Sequence, residues 1–131
     1  MLRAHADAVL ARLNSAAPNL TVYDATAPYP CPTPYLLVIF DGVPEYMDRM
    51  TGVQWSGMCG VQCSAVGKTR REVQWAAEKA RDALKGWVPV VNGRICGPVR
   101  RSASDGIFRD DDVTPPVLVG VDRYEFLTLE A

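Results

Sequence analysis

Between residues 53 and 86 the apolar pattern changes period once, at Gly67, and that switch constrains the fold more than any other stretch. Before it, Val53, Trp55, Cys59, Val61, Cys63 and Ala65 point one way, and Gln54, Ser56, Gln62 and Ser64 the other. A period of two predicts a long strand with one buried face. After it, Val73, Ala76, Ala77, Ala80 and Leu84 fall at helical spacing, the stripe an amphipathic helix buries. Thr69-Arg70-Arg71-Glu72 between them is a capping box, in which the Thr hydroxyl accepts from the Glu72 N–H and the Glu side chain reaches back. Gly86 fits the C′ position that ends the helix. The chain therefore runs from a strand straight into a helix that lies back across the sheet.

Gly67-Lys68-Thr69 at this junction imitates the end of a phosphate-binding loop. Such a loop needs a glycine five residues before the one preceding the lysine, so that successive N–H groups curl around the phosphates. That position is Gln62, inside the alternating strand, and the nearest upstream glycine is Gly60. A strand continuing to Val66 leaves no loop to wrap a nucleotide. A tight turn, a solvated lysine and a helix cap are expected instead.

At 131 residues and 48% hydrophobic content, residues 1–131 are expected to form a single domain. A net charge of −1 and a pI near 5.8 argue against general nucleic-acid binding, which shows a basic face. Arg3, His5, Asp7 and Arg12 interrupt any apolar run near the N-terminus, so no signal peptide is expected. No apolar run approaches membrane-spanning length; the run from Tyr35 to Phe40 is short. Cys59 and Cys63 share one strand face about 13 Å apart, too far for a disulfide. With Cys31 and Cys96 distant in sequence, reduced cysteines acting as small hydrophobes are expected, with no metal and no cofactor.

Leu2, Ala6, Val9, Leu10 and Leu13 predict an N-terminal helix, with His5, the one histidine, partly exposed on its flank. A short strand follows at Leu20 to Tyr23. Prolines 28, 30, 32 and 34 then predict a stiff extended spacer. Tyr35 to Phe40 reads as a buried strand, and Asp41 to Gly52 as a long loop carrying Val43, Tyr46, Met47 and Met50. A solvated loop has no need of them, so the loop either folds onto its own domain or packs on a neighbouring subunit, with Tyr46, Met47 and Met50 as candidate subunit-interface residues. Ile95 to Arg101 is a candidate strand after the turn at Asn92-Gly93. Ser102 to Pro116 reads as a polar loop in which Asp110, Asp111 and Asp112 are solvated carboxylates that repel and diverge. In the last strand, Val117 to Leu129, the alternation changes phase, and a bulge near Asp122 restores one inward face unless the first half is buried on both sides. The sum is an α+β fold, with a mixed, mostly antiparallel sheet of about four to five strands and two helices packed against it.

The strand-to-helix unit, Asn92-Gly93-Arg94-Ile95-Cys96-Gly97-Pro98-Val99, and Arg109-Asp110-Asp111-Asp112-Val113-Thr114-Pro115-Pro116 leading to Val121-Asp122-Arg123-Tyr124 occur here together. With the length and element order they resemble the tail terminator proteins of long-tailed bacteriophages, particularly those of actinobacterial hosts. The likeness runs from about Tyr35 onward and takes in the N-terminal helix in outline. It implies a virion protein at the head–tail junction, a homo-oligomer assembled as a hexameric ring on the finished tail tube. One face would meet the tail tube protein and the other the head-side connector protein. It implies no active site, and the proline segment is not part of the family's pattern. Within such a ring, Asp110, Asp111 and Asp112 become a candidate lumen or partner-facing loop. An enzyme would need a convergent polar constellation, which no spacing supplies. Another head–tail joining protein is the alternative, ahead of a small nucleotide-binding protein.

Overall fold

The computed structural model describes residues 2–28, 32–41, 46–47, 55–112 and 116–130. In chain order these form α1 (Leu2–Ala16), β1 (Val22–Asp24), β2 (Tyr35–Phe40), β3 (Tyr46–Met47), β4 (Trp55–Gly67), α2 (Arg70–Leu84), β5 (Arg94–Cys96), β6 (Arg100–Asp110) and β7 (Val117–Glu130). One sheet runs β1-β2-β4-β7-β5, with β3 also on β4 and β6 also on β7. Every pairing is antiparallel except β1 with β2. The α+β class and mixed sheet are as expected. The sheet has two strands more, because β3 lies inside the expected loop and β5 and β6 divide the expected Ile95–Arg101 strand.

The period switch behaves as its residues dictate. Cys59, Val61, Cys63 and Ala65 are buried on the odd face of β4, and Val73, Ala76, Ala80, Ala83 and Leu84 are buried on α2. Their opposite numbers in register are Phe126 and Tyr124 on β7, and Val38 and Leu36 on β2. Val9 and Leu13 of α1 complete this core. Both helices therefore cover the same side of the sheet. Arg12 fastens α1 to the end of α2, donating from Nε to the Ala83 carbonyl (2.8 Å) while its guanidinium lies 5.7 Å from the Trp87 ring centre. α2 crosses β7 so closely at Gly120 that a Cβ there would stand 2.9 Å from Val73 Cγ1.

The Gly67-Lys68-Thr69 junction is a capped turn. Thr69 Oγ1 accepts from the Glu72 N–H at 3.2 Å, and Glu72 Oε1 reaches back to the Lys68 N–H at 3.5 Å, one residue earlier than a standard capping box. At the other end Gly86 takes φ +80°, as a C′ glycine can, and its N–H donates outside the helix to the Val99 carbonyl. Thr69→Ala is expected to cost about 1 kcal/mol of stability through the lost cap. Lys68→Ala is expected to stay within ~0.5 kcal/mol. Urea denaturation measures both, and ATP or GTP binding that depends on Lys68 would contradict the capped-turn reading.

The proline segment links the end of β1 to the start of its parallel neighbour β2; residues 29–31 of it lie outside the described residues, and the Thr33–Pro34 bond is cis. Two expectations are corrected. Ser102 to Asp110 is not loop but most of β6, an edge strand exposed on nearly every residue. Main-chain pairing with β7 holds it, so it carries no apolar alternation. The bulge is not in β7, whose register with β4 runs unbroken from Ser56↔Leu129 to Gly67↔Leu118. The irregularities fall on the partner, between Arg101 and Ala103 and between Ser104 and Ile107, where Gly106 takes φ +51°. The early valines of β7 are half-buried on the other face while Gly120, Tyr124, Phe126 and Thr128 hold the core phase throughout.

Candidate assembly surfaces

Of the expected interface residues, Tyr46 and Met47 form β3, opposite Ser56 and Trp55. The loop after β2 is therefore partly a strand that prolongs the β2–β4 hairpin. Ser56 of β4 is paired with Tyr46 on one edge and with Leu129 on the other, so β3 stands at the end of the sheet level with the close of β7. Met50 lies outside the described residues.

The three aspartates form a short tip between β6 and β7. Asp110 is the last residue of β6, opposite Val117. Asp112 donates its N–H to Asp110 Oδ1 at 3.0 Å, and Asp111 Oδ1 is 2.6 Å from Arg109 Nε, with both of those side chains largely exposed. Their carboxylates do separate work and do not converge. Among the described residues no group of three or more His, Cys, Asp or Glu is placed to hold a metal ion.

Burial pushes the thiols of Cys59 and Cys63 up to about 12, with Cys96 and Asp41 adding to the effect at Cys59 and Asp122 at Cys63. Both stay protonated at neutral pH and act as small hydrophobes. Cys96 is half-buried, and Cys31 lies outside the described residues.

His5 is the largest departure from the sequence reading. It is fully buried, stacked on Phe126 with ring centres 5.8 Å apart. Its Nε2 is 2.8 Å from Thr128 Oγ1. Arg94, also buried, donates from Nε to the same hydroxyl (3.0 Å) and from Nη2 to the Thr128 carbonyl (3.1 Å). Thr128 thus joins the first helix, β5 and β7 through one oxygen. The Nη1 of Arg94 and the hydroxyl of Tyr124 are buried with no hydrogen-bond partner among the described residues. A signal for His5 exists in the sequence: His5, Val9 and Leu13 stand four apart, along the centre of the stripe rather than its flank.

The face of the sheet away from the helices is banded. At one end Tyr35, Val66, Val119 and Phe108 lie across four strands in register. Val66 there is 5% exposed and Ser64, one pair along, 7%, although no helix among the described residues lies over them. The middle is polar, with Gln62, Arg123 and the Arg100–Glu125 ion pair. At the other end Met58 pairs with Leu127, and Leu129 with Ile95. A groove of about 360 Å³ opens there beside Gly97 and Pro98.

These features define a two-layer α+β fold. No helix among the described residues is long and apolar enough to cross a membrane. No family model and no curated protein matches the chain. Among solved structures, it has the fold of a chain in the virion of the native gene transfer agent (GTA) particle. The TM-score is 0.71 at 17% identity, over 95% of this chain and 93% of that one.

Proposed function

We propose that the chain is a structural protein of a bacteriophage-like virion, and more narrowly a tail terminator that acts by binding rather than catalysis. The observation that carries this reading is the near end-to-end fold match to a virion component, with little of either chain unmatched. The sequence likeness around Asn92 to Val99 and Arg109 to Tyr124 narrows it to the terminator. In this reading the subunit forms a hexameric ring on the tail tube, stops polymerisation, and offers its other face to the head-side connector at the head–tail junction. The segment from Asp41 to Gly52, with Tyr46, Met47 and Met50, contacts a neighbouring subunit. Asp110, Asp111 and Asp112 face the lumen or a partner, where exposed carboxylates repel passing DNA over about the ~8 Å screening length of physiological salt.

Purified protein in negative stain is expected to show rings with a central hole, and added early to growing tail tubes it is expected to cap them short. A compact monomer that leaves tube growth unchanged would overturn the proposal.

A further inference from the structure

We infer that neighbouring copies of this chain join by strand addition, with residues 88–91 of one copy laid along the edge of β6 at residues 107–110 of the next. Burial after α2 alternates, with Val88 and Val90 exposed and Pro89 and Val91 buried, the period of extended chain. One edge of this segment faces its own domain, since the Trp87 carbonyl accepts from the Val99 N–H at 2.8 Å. Pro89 and Val91 share that edge, so the missing N–H of the proline falls on the side away from any added strand. The N–H and C=O groups of Val88 and Val90 point the other way and are unpaired among the described residues.

The outer edge of β6 is likewise open, because β7 is its one partner among the described residues. Register shifts between Arg101 and Ala103 and between Ser104 and Ile107 disrupt the first part of that edge, a device that keeps edge strands from pairing. From Ile107 to Asp110 the register is regular, and neither Lys nor Pro guards it. Phe108 is 50% exposed there, as Val88 is 49% and Val90 86% on the segment. Ile107 turns toward Val73 over Gly120, so Val88 and Val90 belong on the Phe108 side. Strand addition satisfies the main chain of both stretches and covers these side chains.

The occupant is a second copy because the two stretches are complementary and lie at opposite ends of α2. A Cβ on Gly120 would stand 2.9 Å from Val73 Cγ1, near the start of the helix, and 3.5 Å from Ile107 Cγ1. Residues 88–91 leave from the other end, and Val73 to Leu84 spans about 17 Å at ~1.5 Å per residue. One copy therefore offers its two stretches to different neighbours, the heterologous contact from which a ring closes. Charge agrees. Arg12, Arg81 and Lys85 outnumber Asp82 about the exit of α2, while Asp110, Asp111 and Asp112 outnumber Arg109 at the end of β6. Opposite signs meet when one stretch binds the other, and like signs when either binds its own kind.

The inference rests on the homo-oligomer part of the proposed function. Its test uses Val90→Glu and Phe108→Glu, each of which blocks one stretch and leaves the other intact. Each variant alone is expected to associate at least ~10-fold more weakly than the unchanged protein in sedimentation equilibrium, with the same far-UV circular dichroism. Mixed in equal amounts they are expected to form a dimer and go no further. The intact β6 edge of one meets the intact segment of the other, and the remaining ends are both blocked. Should Phe108→Glu fail to fold, Phe108→Ser takes its place. Association unchanged in either folded variant, or a mixture that associates no better than its components, would overturn the inference. Rings that persist in both variants would do so while leaving the terminator reading in place. A monomeric unchanged protein would overturn the inference together with the homo-oligomer reading.

Discussion

A phage lacking this gene is expected to release filled heads without tails, alongside free tails of uncontrolled length. A tail tube adds identical subunits head to tail, and such heterologous contacts continue until something covers the last interface. A terminator ring does so with one face that matches the tube and another that does not. Removing it leaves every tube end open to further subunits, so the length distribution broadens without limit. Loss of a head-side connector gives a different picture, since tails of normal length then fail to attach. Electron micrographs of the mutant lysate separate the two, and uniform free tails would refute the terminator assignment.

The parts of this fold legible in the sequence are those held by side-chain periodicity. The stripe of α2 and the odd, helix-facing residues of β4 follow from spacing alone, while β2 is legible only as an apolar run in which the register shows that Leu36 and Val38 face inward. The capped turn at Thr69 follows from the chemistry of three residues. β6 is hidden because main-chain hydrogen bonds hold it: Arg100 to Asp110 buries almost nothing, so its polar composition is that of a loop. β3 is hidden for a related reason, since two residues are too few to show a period. The open face was half legible. The apolar outward positions of β7 appear in the sequence as a change of phase, but only the register with β4 shows that two faces are occupied rather than one face bent. His5, expected partly exposed on the flank of the α1 stripe, faces inward because its spacing from Val9 and Leu13 places it along the centre of that stripe.

Thr128→Val is expected to cost about 3–5 kcal/mol, since it takes the hydroxyl from two buried groups, one of them charged. Valine keeps the volume and removes the oxygen that His5 Nε2 and Arg94 Nε share. Arg94 retains its bond to the Thr128 carbonyl, but Nε then joins Nη1 as a buried donor of a charged group without a partner. Against a total stability of roughly 5–15 kcal/mol for a domain of this size, that loss leaves little margin. Thr128→Ser keeps the oxygen and removes one buried methyl group, and is expected to cost only about 1 kcal/mol. The two variants therefore separate hydrogen bonding from packing at one position, with urea midpoints as the measurement. Arg94→Met gives the second leg of a double-mutant cycle. If the buried guanidinium is what makes the lost oxygen expensive, Thr128→Val costs much less in the Arg94→Met background, with a coupling of about 1–3 kcal/mol. Equal costs in both backgrounds would mean that His5 alone depends on the hydroxyl. A valine variant as stable as the serine one would mean that the network does not hold the first helix to the last strand.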